Sequence, residues 1–219
     1  MTWYRKIADQ PDYDVYHGTP NQESILSKGF VYDYLGERED QYGPGFYFTT
    51  HYEYANTFTE PKSRDKAPSF GLGTPGVIQA KVTLKKPINL DPMENAREQF
   101  PIINKQIVRS LIMDAEKTFG DEIYSNWGDI KYYGKPKIIQ EMVEAMVNGP
   151  SLTTLYDLFG NDISKGLRSF SRLTGYDGVL VKLNHGNRLV NGTIVNLPNG
   201  GEIVVAWFPE QIKIVSQGK

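Results

Sequence analysis

The order of strand and helix signals along the chain constrains the fold more than any other feature of this sequence. Short segments rich in β-branched and aromatic residues occur before residue 90 and again after residue 175. Between them, apolar residues recur at helical spacing. Strands followed by helices and then by strands predict an α+β fold, because a doubly wound sheet would need the two to alternate.

The first part of the chain predicts three strands, two of which adjoin turn signals. The strands span residues 13–16, 46–50 and 77–84. A short helix ending at Gly29 is expected after the first strand, and Thr50 is expected to cap a helix that reaches Phe58. Residues 33–42 and 61–76 are polar or rich in Gly and Pro, which predicts loops.

The middle of the chain predicts three helices from its apolar stripes. The stripes are Ile103, Ile107, Leu111, Ala115 and Phe119, then Ile138, Met142 and Met146, then Ile163, Leu167 and Phe170. Glycines close the last two helices, at Gly149 and Gly175. We interpret the chain as one domain over 1–219, with residues 93–172 as a helical insertion or lid within it.

The last part of the chain returns to strands. They span residues 176–183, 193–197, 202–208 and 212–215. The Asn-Gly pair at 191–192 precedes the second strand, and the pair at 199–200 predicts a tight hairpin before the third. Alternation along that third strand predicts that Glu202 shares a face with Val204, Ala206 and Phe208.

Composition excludes several classes of function. The sequence has no cysteine, so thiolate chemistry and disulfides are ruled out, and the three histidines do not have the spacing of zinc ligands. The net charge of −2 and the absence of a basic block argue against a dedicated duplex-DNA binder. No signal peptide or membrane-spanning run is recognised, which predicts a cytoplasmic protein of its own or a host cell, without membrane partners.

Three short patterns occur in a fixed order: Tyr-His-Gly-Thr at 16–19, Gly-Pro-Gly-Phe-Tyr-Phe-Thr at 43–49, and Gly-Glu-Ile-Val-Val at 201–205. Together they resemble the ADP-ribosyltransferase superfamily, in the branch of poly(ADP-ribose) polymerases and diphtheria toxin. The likeness is closest to the ADP-ribosyltransferase domains of phage and mobile-element polyvalent proteins. It covers about residues 13–90 and 174–216. The resemblance implies split antiparallel sheets around an NAD cleft, with no metal required.

The resemblance implies a catalytic set of Glu202, His17 and Tyr47. Nicotinamide leaves C1″ of its ribose through a transition state that resembles an oxocarbenium ion, so a fixed carboxylate beside the ribose, Glu202, stabilises the developing charge. His17 is expected to donate a hydrogen bond to a ribose hydroxyl, and the Tyr47 ring to stack on nicotinamide. The implied cofactor-binding set is His17, Gly18, Thr19, Gly45, Phe46, Tyr47, Phe48, Ala55 and Phe58.

The predicted function is mono-ADP-ribosyl transfer from NAD to a macromolecular acceptor, protein rather than nucleic acid, in phage–host or bacterial conflict. Gly200 stands where arginine-directed toxins carry a second Glu or Gln, which disfavours arginine as the target. One alternative is an NAD glycohydrolase on the same site, and another is an inactive binding module that keeps the cleft. An RNA 2′-phosphotransferase is disfavoured by the acidic charge balance. Without the other two, each residue of the set has an ordinary structural interpretation: a turn histidine for His17, a strand aromatic for Tyr47 and a solvated glutamate for Glu202.

Overall fold

The computed structural model describes residues 12–32, 42–59, 73–90, 104–125, 127–128, 130–148, 154–160, 162–190 and 192–217. The strands are β1 Asp12–Thr19, β2 Phe46–Thr49, β3 Gly76–Thr83, β4 Pro87–Leu90, β5 Gly178–Leu183, β6 Gly186–Val190, β7 Thr193–Leu197, β8 Gly201–Ala206 and β9 Ile212–Gln217. The helices are α1 Gln22–Lys28, α2 Tyr52–Asn56, α3 Lys105–Phe119, α4 Ile130–Tyr133, α5 Lys135–Asn148, α6 Thr154–Phe159 and α7 Ile163–Thr174. The predicted α+β class is confirmed.

Seven of the strands form one sheet that is nearly divided in two. The order is β4-β5-β8-β2-β1-β3-β9, with only β4 and β5 parallel. β1 pairs with β3 at eight positions, whereas β1 and β2 are joined only by Tyr16 opposite Thr49. We call the weakly joined boundary between β1 and β2 the seam. It separates the half β4-β5-β8-β2 from the half β1-β3-β9, which is the split antiparallel arrangement that the family resemblance implies.

The helices α3 to α7 connect the parallel neighbours β4 and β5. Parallel neighbours need a crossover connection, which these helices provide. They pack on one face of the sheet in what we call the larger core. Its buried residues include Val179, Val181, Ile203, Val205 and Trp207 of the sheet side, and Leu111, Ile138, Met142, Leu167 and Phe170 of the helices. That residues 93–172 are an insertion or lid relative to the family stays a prediction.

Helix boundaries follow from local capping. The Asn104 side chain accepts a hydrogen bond from the Ile107 amide (2.9 Å), which satisfies one free N–H group at the start of α3. Gly175 ends α7 in the left-handed region, with φ of 76°. The predicted stripe in α3 is confirmed at Leu111 and Ala115, which are fully buried. Ile103 and Gly149 lie outside the described residues.

The opposite face of the sheet covers a smaller core. Its buried residues include Val15, Ile25, Phe30, Phe46, Phe48, Ile78, Val82, Leu180 and Val204. Alternation therefore places Val204 in the smaller core and Val205 in the larger one. The predicted sharing of a face by Glu202 and Phe208 is wrong, because β8 ends at Ala206 and Phe208 packs in the larger core.

The predicted hairpin at Asn199-Gly200 is also wrong. β7 and β8 do not pair with each other: β7 pairs with β6 in a separate two-stranded sheet, and β8 joins the main sheet. The turn is instead a corner where the chain changes sheets. Gly200 is needed there, because a Cβ atom would lie 2.5 Å from the Leu183 carbonyl oxygen.

The tight hairpin lies one strand earlier, and its first strand, β6, was not predicted. Val190 pairs with Thr193, so the two-residue loop between them contains Gly192, whose φ is 81°. The predicted loops 33–42 and 61–76 lie mostly outside the described residues, and Tyr42 at the end of the first is buried rather than exposed. In the described ranges, no helix has both the length and the apolarity needed to cross a membrane.

Candidate active site

The seam places the His17 side chain between two strands that no longer pair. Beyond Tyr16 and Thr49, no further residue pair joins β1 to β2 in the part of the chain that the structure describes. There the His17 ring bridges the gap, since its Nδ1 lies 2.8 Å from the Tyr47 carbonyl oxygen. A carbonyl only accepts, so Nδ1 carries the proton, and in the neutral ring Nε2 is left as a hydrogen-bond acceptor.

Aromatic neighbours keep the His17 ring neutral. The ring meets Phe30 edge-on at 5.2 Å between centroids and tilts against Phe48 at 5.6 Å. Burial lowers the pKa of His17, and the bond to the Tyr47 carbonyl only partly opposes this. The expected donation from His17 to a ribose hydroxyl is therefore reversed by this geometry, which leaves Nε2 to accept.

Tyr47 is held rigidly by its hydroxyl group. The hydroxyl donates to the Gly43 carbonyl oxygen (2.6 Å) and accepts from the Tyr42 amide (3.1 Å). The ring is half-buried and packs against the larger core. The Gly-Pro-Gly turn thus fixes the orientation of the ring, which suits a surface on which a flat ligand ring stacks.

Glu202 is held at its backbone by Thr50. The Glu202 amide donates to Thr50 Oγ1 (2.9 Å), and the Thr50 amide donates to the Glu202 carbonyl oxygen (3.0 Å). The Glu202 residue itself is only partly exposed. This fixes the backbone from which a carboxylate at the rim of the sheet projects.

The predicted capping role of Thr50 is therefore wrong. Helix α2 begins at Tyr52 with His51 as its N-cap, and no side chain caps it. The Thr50 hydroxyl instead accepts a hydrogen bond from the Glu202 amide. Sequence reasoning had no signal for this contact, because Thr50 and Glu202 are 152 residues apart.

The strand registers place His17 and Glu202 on one face of the sheet. Tyr16, Thr49 and Ile203 lie in one row across β1, β2 and β8. His17 is one residue beyond that row and Glu202 is one residue before it. Ideal strand spacings then put their Cα atoms about 12 Å apart. The two side chains therefore lie on opposite sides of that row, on the same face of the sheet.

The other predicted residues gather on the opposite face. Alternation directs Tyr47 and Gly18 away from His17, toward α2. A Cβ atom on Gly18 would lie 1.8 Å from the Ala55 carbonyl oxygen and 3.2 Å from Phe58 Cβ. The absent side chain at Gly18 thus lets α2 pack directly on β1, with Phe58 beside it.

The remaining predicted binding residues have roles in packing and in turns around the site. Phe46, Phe48 and Ala55 are almost completely buried, so their side chains are part of the core. The Thr19 hydroxyl is occupied as an acceptor for the Asn21 amide (3.1 Å). A Cβ atom on Gly45 would lie 2.5 Å from Val205 Cγ1, so glycine is required where the turn meets β8. A ligand at these positions would meet backbone groups more than side chains.

Comparison with known families agrees with this architecture. The family model described as "ADP-Ribosyltransferase in polyvalent proteins" matches residues 12–219. No curated protein and no solved structure matches the chain. The family match spans both halves of the split sheet and the helical middle between them. The chain therefore belongs to the ADP-ribosyltransferase family of polyvalent proteins.

Proposed function

We propose that this protein is an NAD⁺-dependent mono-ADP-ribosyltransferase with Glu202 as its catalytic carboxylate. The observation that carries the proposal is the seam, where His17 bridges two separated strands and Glu202 stands fixed by Thr50 on the same face. We propose that a ligand binds at this weakly joined boundary and reaches both faces of the sheet. The Tyr47 ring and the backbone of Gly18 on the other face are then in reach of the same molecule.

In this proposal, each residue of the site contacts a different part of NAD⁺. Tyr47 and Phe58 offer rings against which the cationic nicotinamide stacks. His17 accepts a hydrogen bond from a ribose hydroxyl through Nε2. The Glu202 carboxylate holds the hydroxyl next to C1″ and stabilises positive charge as it develops at that carbon.

The proposed reaction breaks the C1″–N bond of NAD⁺. Nicotinamide leaves with the bonding electron pair. Its positive charge makes it a good leaving group, because the ring becomes neutral as it leaves. A nucleophile of the acceptor then forms a bond to C1″ and loses its proton. We also propose a protein acceptor and a role in phage–host or bacterial conflict.

Two rival functions use the same cleft. In an NAD glycohydrolase, water attacks C1″ and free ADP-ribose is released. In an inactive binding module, NAD⁺ stays intact. Incubation with NAD⁺ labelled in its adenylate part, with and without a cell lysate, separates the three. Label on a macromolecule supports transfer, labelled ADP-ribose alone supports hydrolysis, and intact NAD⁺ in both incubations contradicts the enzyme proposal.

Tyr47→Ala is expected to weaken NAD⁺ binding by about 1–3 kcal/mol, the usual range for loss of an aromatic stacking partner. The matched variant Tyr47→Phe keeps the ring but loses the hydroxyl bonds to Gly43 and Tyr42. It should keep most of the affinity and lose about 1 kcal/mol of folding stability. Calorimetric titration and urea unfolding measure the two quantities. Unchanged NAD⁺ affinity in folded Tyr47→Ala would exclude the stacking role.

Stability is expected to fall as the pH falls below about 6.5, the ordinary pKa of histidine. The pKa of His17 is lowered by burial, so the unfolded chain takes up a proton that the folded ring does not. The contribution is thus fully present above pH 6.5 and is lost as the pH falls through the folded pKa. His17→Asn should flatten the dependence of unfolding free energy on pH. The same pH dependence in folded His17→Asn would contradict this assignment.

A further inference from the structure

Arg188 lies on the inner side of the β6–β7 hairpin. Its neighbours in the pairing pattern, Leu189 and Ile194, point outward and are 74% and 70% exposed. The partner of Arg188 is Val195, which is buried in the larger core. Alternation therefore directs the Arg188 side chain inward, toward the body of the protein.

The Arg188 guanidinium has an unsatisfied donor. Its Nε atom is shielded from solvent and has no hydrogen-bond partner, and no ion pair of Arg188 is formed within the described residues. By contrast, Arg168 and Arg172 each pair with a carboxylate, Glu210 and Asp114. A guanidinium is always charged, and shielding one of its donor atoms from solvent without a partner is costly.

The hairpin face that carries Arg188 packs in the larger core together with Tyr42, and the rings of Tyr47, Tyr54 and Phe58 pack against that core. Burial raises the pKa of Tyr54 and Tyr42, and the positive charge of Arg188 opposes that rise. The Tyr42 amide donates to the Tyr47 hydroxyl, and the Tyr54 ring lies 5.8 Å from Phe58. Arg188 therefore points toward the core against which the rings proposed to receive nicotinamide also pack.

None of the other residues proposed to bind NAD⁺ carries a positive charge. His17 is neutral, Glu202 is acidic, and the rest are glycine, threonine, alanine or aromatic residues. NAD⁺ carries two negative charges on its diphosphate. Arginine matches such a group well because its planar fork donates two parallel hydrogen bonds to phosphate oxygens.

We propose that Arg188 binds the diphosphate of NAD⁺ and that this anion satisfies the otherwise unpaired guanidinium. The inference rests on the proposed function, since it assigns a part of the same ligand. It also assigns the hairpin before Glu202 a direct role in cofactor binding. The hairpin is anchored for this role by Val190, Val195 and Leu197 in the larger core.

Calorimetric titration of wild type and Arg188→Gln tests the assignment with two ligands. NAD⁺ should bind roughly 10- to 100-fold more weakly to the variant, as expected for loss of hydrogen bonds to a charged group. Nicotinamide riboside has the same ring and ribose but no phosphate, so its affinity should be unchanged. Inorganic pyrophosphate should compete with NAD⁺ for binding to wild type, but it should not compete for binding to Arg188→Gln. The control Arg109→Gln, at an exposed position of α3, should match wild type throughout.

Stability without ligand gives a second readout. Because the guanidinium forms no ion pair among the described residues and its Nε atom lacks a hydrogen-bond partner, Arg188→Met should raise the melting temperature in the absence of NAD⁺. If Arg188 had only a structural role, Arg188→Met would instead lower the melting temperature, and Arg188→Gln would bind both NAD⁺ and nicotinamide riboside more weakly. That result would overturn the proposal. Equal NAD⁺ affinity of wild type and Arg188→Gln would also overturn it. If transfer were nevertheless reduced, Arg188 would bind an anionic group of the acceptor and not the diphosphate of NAD⁺. Wild type that binds pyrophosphate but not NAD⁺ would instead contradict the proposed function.

Discussion

Glu202→Gln is expected to lower the rate of NAD⁺ cleavage about 100- to 1000-fold, the usual effect of removing one preorganised group that stabilises transition-state charge. The amide is nearly the same size as the carboxylate but carries no charge. The backbone bonds between Glu202 and Thr50 do not involve the side chain and should persist. The fold and NAD⁺ affinity should therefore change little, and the loss should appear in kcat.

Glu210→Gln is the matched control for this experiment. Glu210 is an exposed carboxylate just after β8 that pairs with Arg168 at 2.9 Å. Exposed ion pairs contribute at most about 1 kcal/mol, so the variant should fold and react like wild type. Nicotinamide release measured by chromatography gives both rates. Glu202→Gln with a wild-type rate and melting temperature would remove Glu202 from catalysis.

Gly18→Ala is expected to destabilise the protein by about 3 kcal/mol, the upper end of the cost of overpacking a core. The added methyl group would lie 1.8 Å from the Ala55 carbonyl oxygen, so α2 would have to move away from β1. That movement would also displace Phe58, whose Cβ is 3.2 Å from the same position. NAD⁺ affinity should fall together with stability.

Gly201→Ala provides the comparison, because its added methyl group would meet only Thr50 Oγ1 at 3.6 Å and Leu183 Cδ1 at 4.0 Å, which are ordinary contacts. Urea unfolding of both variants measures the two stabilities. The interpretation of Gly18 as a packing residue requires a large difference between them. Equal stabilities would show that α2 is not seated on β1 in solution.

The fold class and the ends of α1 at Gly29 and α7 at Gly175 could be predicted because they depend on neighbouring residues, whereas the short helices α4 and α6 were not predicted. Capping at Asn104 and Gly175 involves positions within one turn, and alternation of side chains defines a strand wherever it occurs. β6 was not predicted because Gly186 to Val190 is short and begins with glycine and asparagine, which are depleted in strands. The two Asn-Gly pairs look alike in sequence, yet only the one at 191–192 joins paired strands.

The sequence by itself determined the α+β plan, the helices of the middle, and the residue types of the His-Tyr-Glu set, because these follow from local pattern and from the resemblance to a family. Only the tertiary structure decided how those residues are arranged. It opened the seam between β1 and β2, left the His17 ring with Nε2 as an acceptor, and placed Tyr47 on the other face. It also joined Thr50 to Glu202 by hydrogen bonds and directed Arg188 toward the larger core. Each of these contacts joins strands or loops far apart in the chain. Strand order and register determine them, and no local pattern encodes either one.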